Sequence, residues 1–231
     1  VEINGKRIKS QIIKVLQNRG ITTKEEIEKF LNPSLKSLHN PYLFEDMKYA
    51  VKIIKDAIQN KKRVLIYGDY DCDGVTSTYL LYFTLKKILP VSYYIPNRFK
   101  DGYGLNLEIL KKLIDSFDIL ITVDTGISAV NEISYLKEKG KMVILTDHHE
   151  PKDVLPKADA IINPKLKGCS YPFKGLSGVG VAFKLLHALK ISGLDIKLAE
   201  LLDVVAIGTI ADIMPLVDEN RIIARFGLDI L

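Results

Sequence analysis

The sequence contains only two cysteines and no long apolar run, and each scarcity narrows the class of protein. The separation of Cys72 and Cys169 fits neither a metal-binding motif nor a disulfide framework, so we expect a reducing compartment. Nothing in the sequence requires a disulfide between them. No apolar stretch approaches the ~20 residues that span a bilayer, and the first residues do not resemble a signal peptide. We therefore expect a cytoplasmic protein with no membrane partner.

Internal repeats and low-complexity tracts are also absent. With 47% apolar residues, the chain can bury a sizeable core as one large or two small domains. The net charge of +5 is unevenly distributed, since residues 1–63 contain 14 Lys/Arg but only 7 Asp/Glu. A polyanion such as nucleic acid would explain this basic excess, although on charge alone solvated helix faces explain it better.

Residues 1–45 are predicted to form a helical and irregular segment without chemistry of its own. Apolar residues at helical spacing indicate short amphipathic helices over 6–16 and 23–31, and residues 32–45 indicate irregular chain. A longer helix over 46–59 leads into the first predicted strand. We assign residues 46–231 to one α/β domain.

The stretch 62–75 contains an apolar run that ends in three acids at alternate positions, Asp69, Asp71 and Asp73. The run is typical of a buried strand, and the residues after Gly74 have helical spacing. In open α/β sheets, ligands bind where the carboxyl end of a strand meets the amino end of a helix. One acid is enough to cap that helix, so three crowded carboxylates indicate a bound cation.

Strands and helices alternate through the rest of this domain. Further strands are predicted over 91–96, 118–123, 141–146 and 158–164, and further helices over 106–115, 130–139, 181–189 and 199–210. The alternation predicts a doubly wound, mostly parallel sheet flanked by helices.

Polar residues follow three of the predicted strands, and the carboxyl ends of parallel strands share one edge. Asp124 follows the third strand, and Asp147, His148 and His149 follow the fourth. We expect them to converge with the acids of the first loop. Carboxylates with one or two imidazoles and no thiolates suit Mn²⁺ or Mg²⁺, and suit Zn²⁺ less well. So many acids can hold two ions, which predicts phosphoester or phosphoanhydride hydrolysis.

Two features beyond the fourth strand extend this candidate site. A glycine-rich loop over 174–180 opens onto a helix, and its backbone at Ser177 and Gly178 could hold a phosphate. Close packing of that helix against the sheet explains the glycines equally well. Asp203 lies inside an apolar helix, where an acid is costly unless it is paired or metal-bound. We therefore expect Asp203 to join the cluster.

Together these motifs resemble the DHH phosphoesterase superfamily, which is named for the Asp-His-His found here at 147–149. The resemblance runs from about residue 32 to the last residue and includes segments 68–74, 123–126 and 202–212. Segments 96–104, 163–164 and 175–180 are similar to the matching segments of a bacterial branch of this superfamily. Enzymes of that branch degrade single-stranded DNA from the 5′ end. The resemblance thus implies a metal-dependent 5′-to-3′ exonuclease of DNA recombination and repair.

The same resemblance implies a ligand set for two ions. Asp71 and Asp124 would hold one ion, and Tyr67 stands where some members carry a histidine, so that ion would bind weakly. Asp73, Asp124, His148 and Asp203 would hold the other, with Asp124 bridging the two.

The resemblance also implies roles for residues around the ions. Asp69 and His149 would lie beside the ions and contact metal, water or phosphate, and Asp147 would orient a ligand. Arg98 and Tyr103 match residues that grip the DNA backbone near its 5′ end, which suits a guanidinium and a ring that stacks on a base. Single-stranded DNA, a single-strand-binding protein and a helicase are the implied partners.

Members of that branch continue into a second lobe where this chain ends, so we expect the lobe to lie outside this sequence. Two alternatives stay open. The chain could be a relative that hydrolyses small substrates such as dinucleotides or pyrophosphate, or a non-catalytic DNA-binding scaffold.

Overall fold

The protein, described by a computed structural model, begins with a small helical segment. The structure describes residues 2–3 and 6–231, with side chains from residue 8 onward. Strands β1 (Glu2–Ile3) and β2 (Lys6–Arg7) form a short antiparallel pair, followed by helices α1 (Ser10–Gln17) and α2 (Lys24–Leu31). The predicted helix start at residue 6 is therefore wrong. The predicted domain start at residue 1 lies outside the described residues.

The link to the α/β domain is irregular, as predicted. Two single turns of 3-10 helix, Leu35–Ser37 and Pro41–Leu43, precede helix α3 (Met47–Gln59). Side chains that recur at helical spacing bury one face of α3, including Met47, Ala50 and Ile54. This face contributes to the largest of the three hydrophobic cores.

The centre of the molecule is a five-stranded parallel sheet. Its strands are β3 (Val64–Tyr67), β4 (Val91–Tyr94), β5 (Ile119–Val123), β6 (Met142–Thr146) and β7 (Ala160–Ile162), in the spatial order β4-β3-β5-β6-β7. The strand order reverses between β3 and β5, so the prediction of a doubly wound parallel sheet is confirmed. In such sheets the ligand crevice lies at this switch point, outside the carboxyl ends of the strands.

Helices cover both faces of the sheet. Alternate strand residues such as Ile66 and Ile121 face a core shared with α3, α4 (Cys72–Leu85) and α7 (Gly178–Ile191). Leu65 and Leu120 face the opposite core, formed with α5 (Leu107–Leu113) and α6 (Val130–Glu138).

Two further helices close the first of these layers. Helix α8 (Leu202–Ala211) packs on α4, on α7 and on α9 (Asp218–Leu228). Both cysteines are free thiols. Among the described residues, none of the helices is both long and apolar enough to cross a membrane.

Candidate metal centre

The three acids that follow β3 lie in the crevice, and each has a different environment. Asp69 is buried, and its Oδ1 accepts a hydrogen bond from the backbone N–H of Tyr70 at 2.8 Å. Asp71 is exposed and caps α4, with Oδ1 accepting from Gly74 N at 2.8 Å. A Cβ at Gly74 would lie 2.5 Å from the Asp69 carbonyl oxygen, so the turn requires glycine there.

Asp73 is the buried acid in the first turn of α4, and it joins this helix to α7. Its two carboxylate oxygens accept hydrogen bonds from the backbone N–H groups of Gly178 at 2.6 Å and Val179 at 2.8 Å. A carboxylate at a helix amino terminus is favourable because unpaired N–H groups and the helix dipole both stabilise negative charge.

Asp124 directly follows β5 and lies at the centre of the crevice. Its φ of 58° falls in the left-handed region, which non-glycine residues adopt mainly in constrained turns. The residue is 1% exposed, and Oδ1 of its side chain has no hydrogen-bond partner among the described residues. A Cβ at Gly178 would overlap this carboxylate, so only glycine lets the start of α7 approach it. A buried, unpartnered carboxylate oxygen fits a metal ligand.

His148 and Asp147 both follow β6, but their side chains point in different directions. His148 faces the acids of the cluster. The Nε2 atom of His148 lies 3.2 Å from Asp124 Oδ1, 3.6 Å from Asp212 Oδ2 and 3.9 Å from Asp73 Oδ2. Asp147 instead points into the fold, where its oxygens accept from Ile127 N at 2.9 Å and from His148 N at 2.8 Å.

The structure brings most of the predicted ligands into three groups whose donor atoms lie within 4.8 Å of one another. One group joins the first two acids of the first loop to Asp124, and the other two groups contain His148. The groups are Asp69 with Asp71 and Asp124, Asp73 with His148 and Asp212, and Asp124 with His148 and His149. The predicted convergence at one sheet edge is therefore seen for Asp69, Asp71, Asp73, Asp124, His148 and His149. Asp147 is in none of the three groups and instead hydrogen-bonds to His149.

Asp203 is the predicted ligand that the structure does not bring to the cluster. It lies in the first turn of α8, where its Oδ1 accepts from the N–H of Val204 at 2.7 Å. Asp212, which follows the last turn of the same helix, takes the expected place. The two acids are nine positions apart in the sequence, so they lie about 14 Å apart along the helix axis and on opposite sides of it. The sequence signal for Asp212 is an acid at a helix carboxyl terminus, where the helix dipole disfavours it.

The pKa shifts show that the cluster does not favour negative charge without a cation. Burial, followed by the charges of Asp73 and Asp71, raises the pKa of Asp124. Burial also raises the pKa of Asp73, Asp69 and Asp212 and lowers the pKa of His148.

Buried polar atoms without a partner lead to the same conclusion. Three of these atoms within residues 8–231 belong to the cluster, namely Oδ1 of Asp124, Oδ2 of Asp212 and Nδ1 of His148. The carboxylate and imidazole donor set suits a hard or borderline divalent cation. The residues present therefore fit Mn²⁺ or Mg²⁺.

Aromatic side chains and one arginine form an exposed rim beside the cluster. The hydroxyl of Tyr103 lies 3.3 Å from Nε2 of His149, whose Nδ1 lies 2.7 Å from Asp147 Oδ1. That hydrogen bond is the main reason that the pKa of His149 rises to about 9. The guanidinium of Arg98 lies 5.7 Å from the ring centre of Tyr70, a residue that the sequence reasoning did not select.

The donors of the glycine-rich loop at the start of α7 are already engaged within the fold. The N–H groups of Gly178 and Val179 bond to Asp73, and the buried hydroxyl of Ser177 bonds to Thr209 Oγ1 at 3.0 Å. The predicted phosphate contact at Ser177 and Gly178 therefore does not fit this arrangement. Close packing of α7 is the alternative that the structure supports.

A doubly wound sheet with a carboxylate and imidazole cluster at its switch point defines an α/β domain with a candidate metal centre. Residues 63–209 match the DHH family, N-terminal domain. The chain belongs to the DHH family, and the resemblance stated from the sequence is confirmed.

Curated relatives of this chain include the RecJ exonucleases of the DHH family. The chain is 50% identical over 220 residues to the single-stranded-DNA-specific exonuclease RecJ of Bacillus subtilis (strain 168), covering 94% of this chain and 28% of that protein. Identity to RecJ of Escherichia coli (strain K12) is 39% over 225 residues, or 91% of this chain and 38% of that protein. The chain thus spans less than two fifths of the length of these relatives.

Solved structures agree with this resemblance. Exonuclease RecJ bound to manganese matches with a TM-score of 0.76 at 35% identity, covering 85% of this chain and 49% of that one. RecJ of Thermus thermophilus in complex with Mn²⁺ matches with a TM-score of 0.77 at 33% identity, covering 93% and 30% of the two chains.

Proposed function

We propose that this chain is the catalytic region of a metal-dependent exonuclease that digests single-stranded DNA from the 5′ end. The observation that carries the proposal is the position of Asp124, which belongs both to the group with Asp69 and Asp71 and to the group with His148 and His149. A carboxylate shared by two ligand groups can bridge two ions. Relatives at 39% to 50% identity are named single-stranded-DNA-specific exonucleases, which supports the substrate class.

Two ligand sets follow from the geometry. Asp69, Asp71 and Asp124 would hold one Mn²⁺ or Mg²⁺ ion, and Asp73, His148 and Asp212 with the shared Asp124 would hold the other. Bound divalent ions would supply a Lewis acid for a phosphoryl oxygen and a water of lowered pKa.

Tyr67 would add no ligand to the first set. Its hydroxyl donates to the carbonyl oxygen of Gly104 at 3.3 Å and accepts from Asn106 N at 3.3 Å. Burial raises the pKa of this phenol to about 12, which keeps it neutral. Weak binding of the first ion accordingly stays a prediction.

The substrate would be held by the exposed rim and kept in place by residues that do not touch the ions. Asp147 fixes the His149 ring through its hydrogen bond, and this holds Nε2 of His149 at the rim, beside the Tyr103 hydroxyl. Arg98 offers a cation, and Tyr103 and Tyr70 offer ring faces for an unpaired base.

The test is digestion of single-stranded DNA that carries a label at the 5′ or the 3′ end, with Mn²⁺ present. We expect nucleotides to be released from the 5′ end, and Asp124→Ala to abolish release. Asp203→Asn is the matched control, because it removes an acid outside the cluster and should retain activity. Release from the 3′ end alone, or an active Asp124→Ala, would overturn the proposal.

The same assay separates the alternatives. Dinucleotides and pyrophosphate as substrates test a small-molecule hydrolase, and DNA binding without hydrolysis would indicate a scaffold. For the whole protein, a single-strand-binding protein and a helicase stay predicted partners, and the cytoplasm stays the predicted location.

A further inference from the structure

Residues 74–100 combine two compositional features that the candidate metal centre does not use. The segment contains no Asp or Glu, although acids precede and follow it directly at Asp73 and Asp101. It also carries four Lys or Arg residues and six aromatic residues. Cations interleaved with aromatic rings are the pattern of surfaces that bind single-stranded nucleic acid.

The fold gathers part of this segment into one continuous surface on α4 and β4. The ring centres of Tyr93 and Tyr82 lie 4.9 Å apart, and those of Phe83 and Tyr79 lie 5.3 Å apart in a stacked arrangement. Lys86 connects the two pairs, because its Nζ lies 5.0 Å from the ring centre of Tyr82 and 5.2 Å from that of Phe83. We call these residues, with Lys87, the α4–β4 face.

The rings and cations of this face are available to a ligand. Tyr79 is 47% exposed and Tyr93 is 54% exposed. Lys87 Nζ lies 4.4 Å from the ring centre of Phe83, and both Lys86 and Lys87 are exposed. Within residues 8–231, neither ammonium group forms a salt bridge. Cations held over rings rather than beside carboxylates stay free to meet a polyanion.

Both elements of the α4–β4 face lead towards the metal centre. Asp71 caps the amino end of helix α4, and β4 is an edge strand of the sheet. The carboxyl end of β4 leads into the loop that carries Arg98, whose guanidinium lies over the Tyr70 ring. A strand bound to this face and extended towards the amino end of α4 and the carboxyl end of β4 would therefore lead to the acids of the crevice.

We propose that the α4–β4 face is a binding track for single-stranded nucleic acid, with bases stacked on Tyr79 and Tyr93 and phosphates paired with Lys86 and Lys87. The proposal that this track serves digestion rests on the proposed function. Its capacity to bind is a separate property of the surface, and it can be measured with hydrolysis switched off.

The experiment is fluorescence anisotropy of a labelled oligothymidylate with the full chain in EDTA, which removes divalent ions. We expect Tyr79→Ala and Tyr93→Ala each to raise the Kd about 5-fold or more, the lower end of the effect of losing one stacked base. Tyr79→Phe keeps the ring and should bind like the wild type. On an abasic strand, Tyr79→Ala should make no difference.

The lysines are tested by the salt dependence of binding. The double variant Lys86→Ala with Lys87→Ala should reduce the slope of log Kd against log salt by about 1.4, from about 0.7 for each phosphate contact on a single strand. The matched control is Tyr49→Ala with Lys52→Ala, an exposed pair on α3 whose helix also carries Asp56. This control should leave both the Kd and the slope unchanged.

Unchanged binding in the Tyr79, Tyr93 and lysine variants would overturn the proposal, whether or not the chain digests DNA. A change in self-association by sedimentation velocity without a change in DNA binding would also overturn it, because the face would then be a protein interface. If an aromatic variant fails to fold, Lys87→Glu decides, since it alters only an exposed side chain and should weaken binding more than Lys87→Ala.

Discussion

The Nε2 atom of His148 lies 3.2 Å from Oδ1 of Asp124, although the two residues follow different strands of the sheet. The same nitrogen lies 3.6 Å from Asp212 Oδ2, which comes from a helix on one face of that sheet. The site is therefore assembled from β5, β6 and α8 together, and no single loop contains it. Changing one of these residues should alter cation binding without unfolding the sheet.

Asp212→Asn should weaken Mn²⁺ binding by at least about 10-fold, the lower end of the effect of removing a residue that only supports a ligand. The amide keeps the shape of the side chain but removes the charge that a cation needs. Isothermal titration calorimetry with Mn²⁺ measures the change. Asp203→Asn, in the same helix, should bind Mn²⁺ like the wild type. Equal losses in the two variants would show that Asp212 is not a specific ligand.

Gly178→Ala should both destabilise the fold and disturb the metal centre, because the added Cβ would overlap the Asp124 carboxylate. Overpacking of this kind costs about 1–3 kcal/mol of unfolding free energy. Urea unfolding and Mn²⁺ titration give the two readouts. Gly180→Ala, one half-turn further along α7, meets the Leu176 side chain at 3.2 Å and should be tolerated. A Gly178→Ala variant with normal stability and Mn²⁺ affinity would contradict the close approach.

The convergence of acids and histidines could be predicted because it depends on local patterns. A buried strand ends where an apolar run meets Asp69, Asp124 or Asp147, and the parallel order brings those ends to one edge. The edge strand β4 has no such polar ending, and none of its four residues is fully buried.

The errors at Asp203 and at the glycine-rich loop have a different origin. An acid in an apolar helix does not show which face of that helix points to the metal cluster. The orientation of α8 about its axis is set by its packing against α4 and α7. Similarly, the sequence cannot show that the N–H groups of Gly178 and Val179 are filled by Asp73, a residue 105 positions away from Gly178. Both observations depend on tertiary contacts between residues far apart in the sequence, so the spacing of residues alone could not predict them.

The buried ion pair of Lys184 and Glu219 should be the most sensitive point for stability. Both side chains are fully buried, with Nζ 2.8 Å from Oε1. Glu219 also accepts from the hydroxyl of Tyr171 and from the N–H of His39 at 3.0 Å, so it ties the amino-terminal segment to α9.

Lys184→Met removes one charge and leaves the other buried, which costs about 3–5 kcal/mol of unfolding free energy. Lys197→Met is the control, since it breaks an exposed pair with Glu200 and should change stability by less than about 1 kcal/mol. Chemical denaturation compares the two. A loss at Lys184 no larger than that at Lys197 would refute the role of the buried pair.

His187 on α7 should make stability depend on pH under mildly acidic conditions. Burial, and then the charges of Lys184 and Lys190, lower the pKa of this imidazole to about 4. Between that value and an unfolded pKa of about 6.5, the unfolded chain binds the proton and the folded chain does not, so stability falls as pH falls. The loss attributable to His187 is at most about 3 kcal/mol, and it is smaller in practice because the ring is partly exposed to solvent.

The raised pKa values of the carboxylates in the metal centre have the opposite effect, because they make stability rise as pH falls. The effect of His187 is therefore measured as the difference between the wild type and a variant. His187→Gln should flatten the fall in unfolding free energy between pH 6.5 and pH 4 relative to the wild type, and leave the curve above pH 7 parallel to it. Urea denaturation at intervals of half a pH unit, with EDTA present, provides the measurement. Parallel curves throughout the acidic range would mean that His187 takes up its proton equally in the folded and unfolded chain.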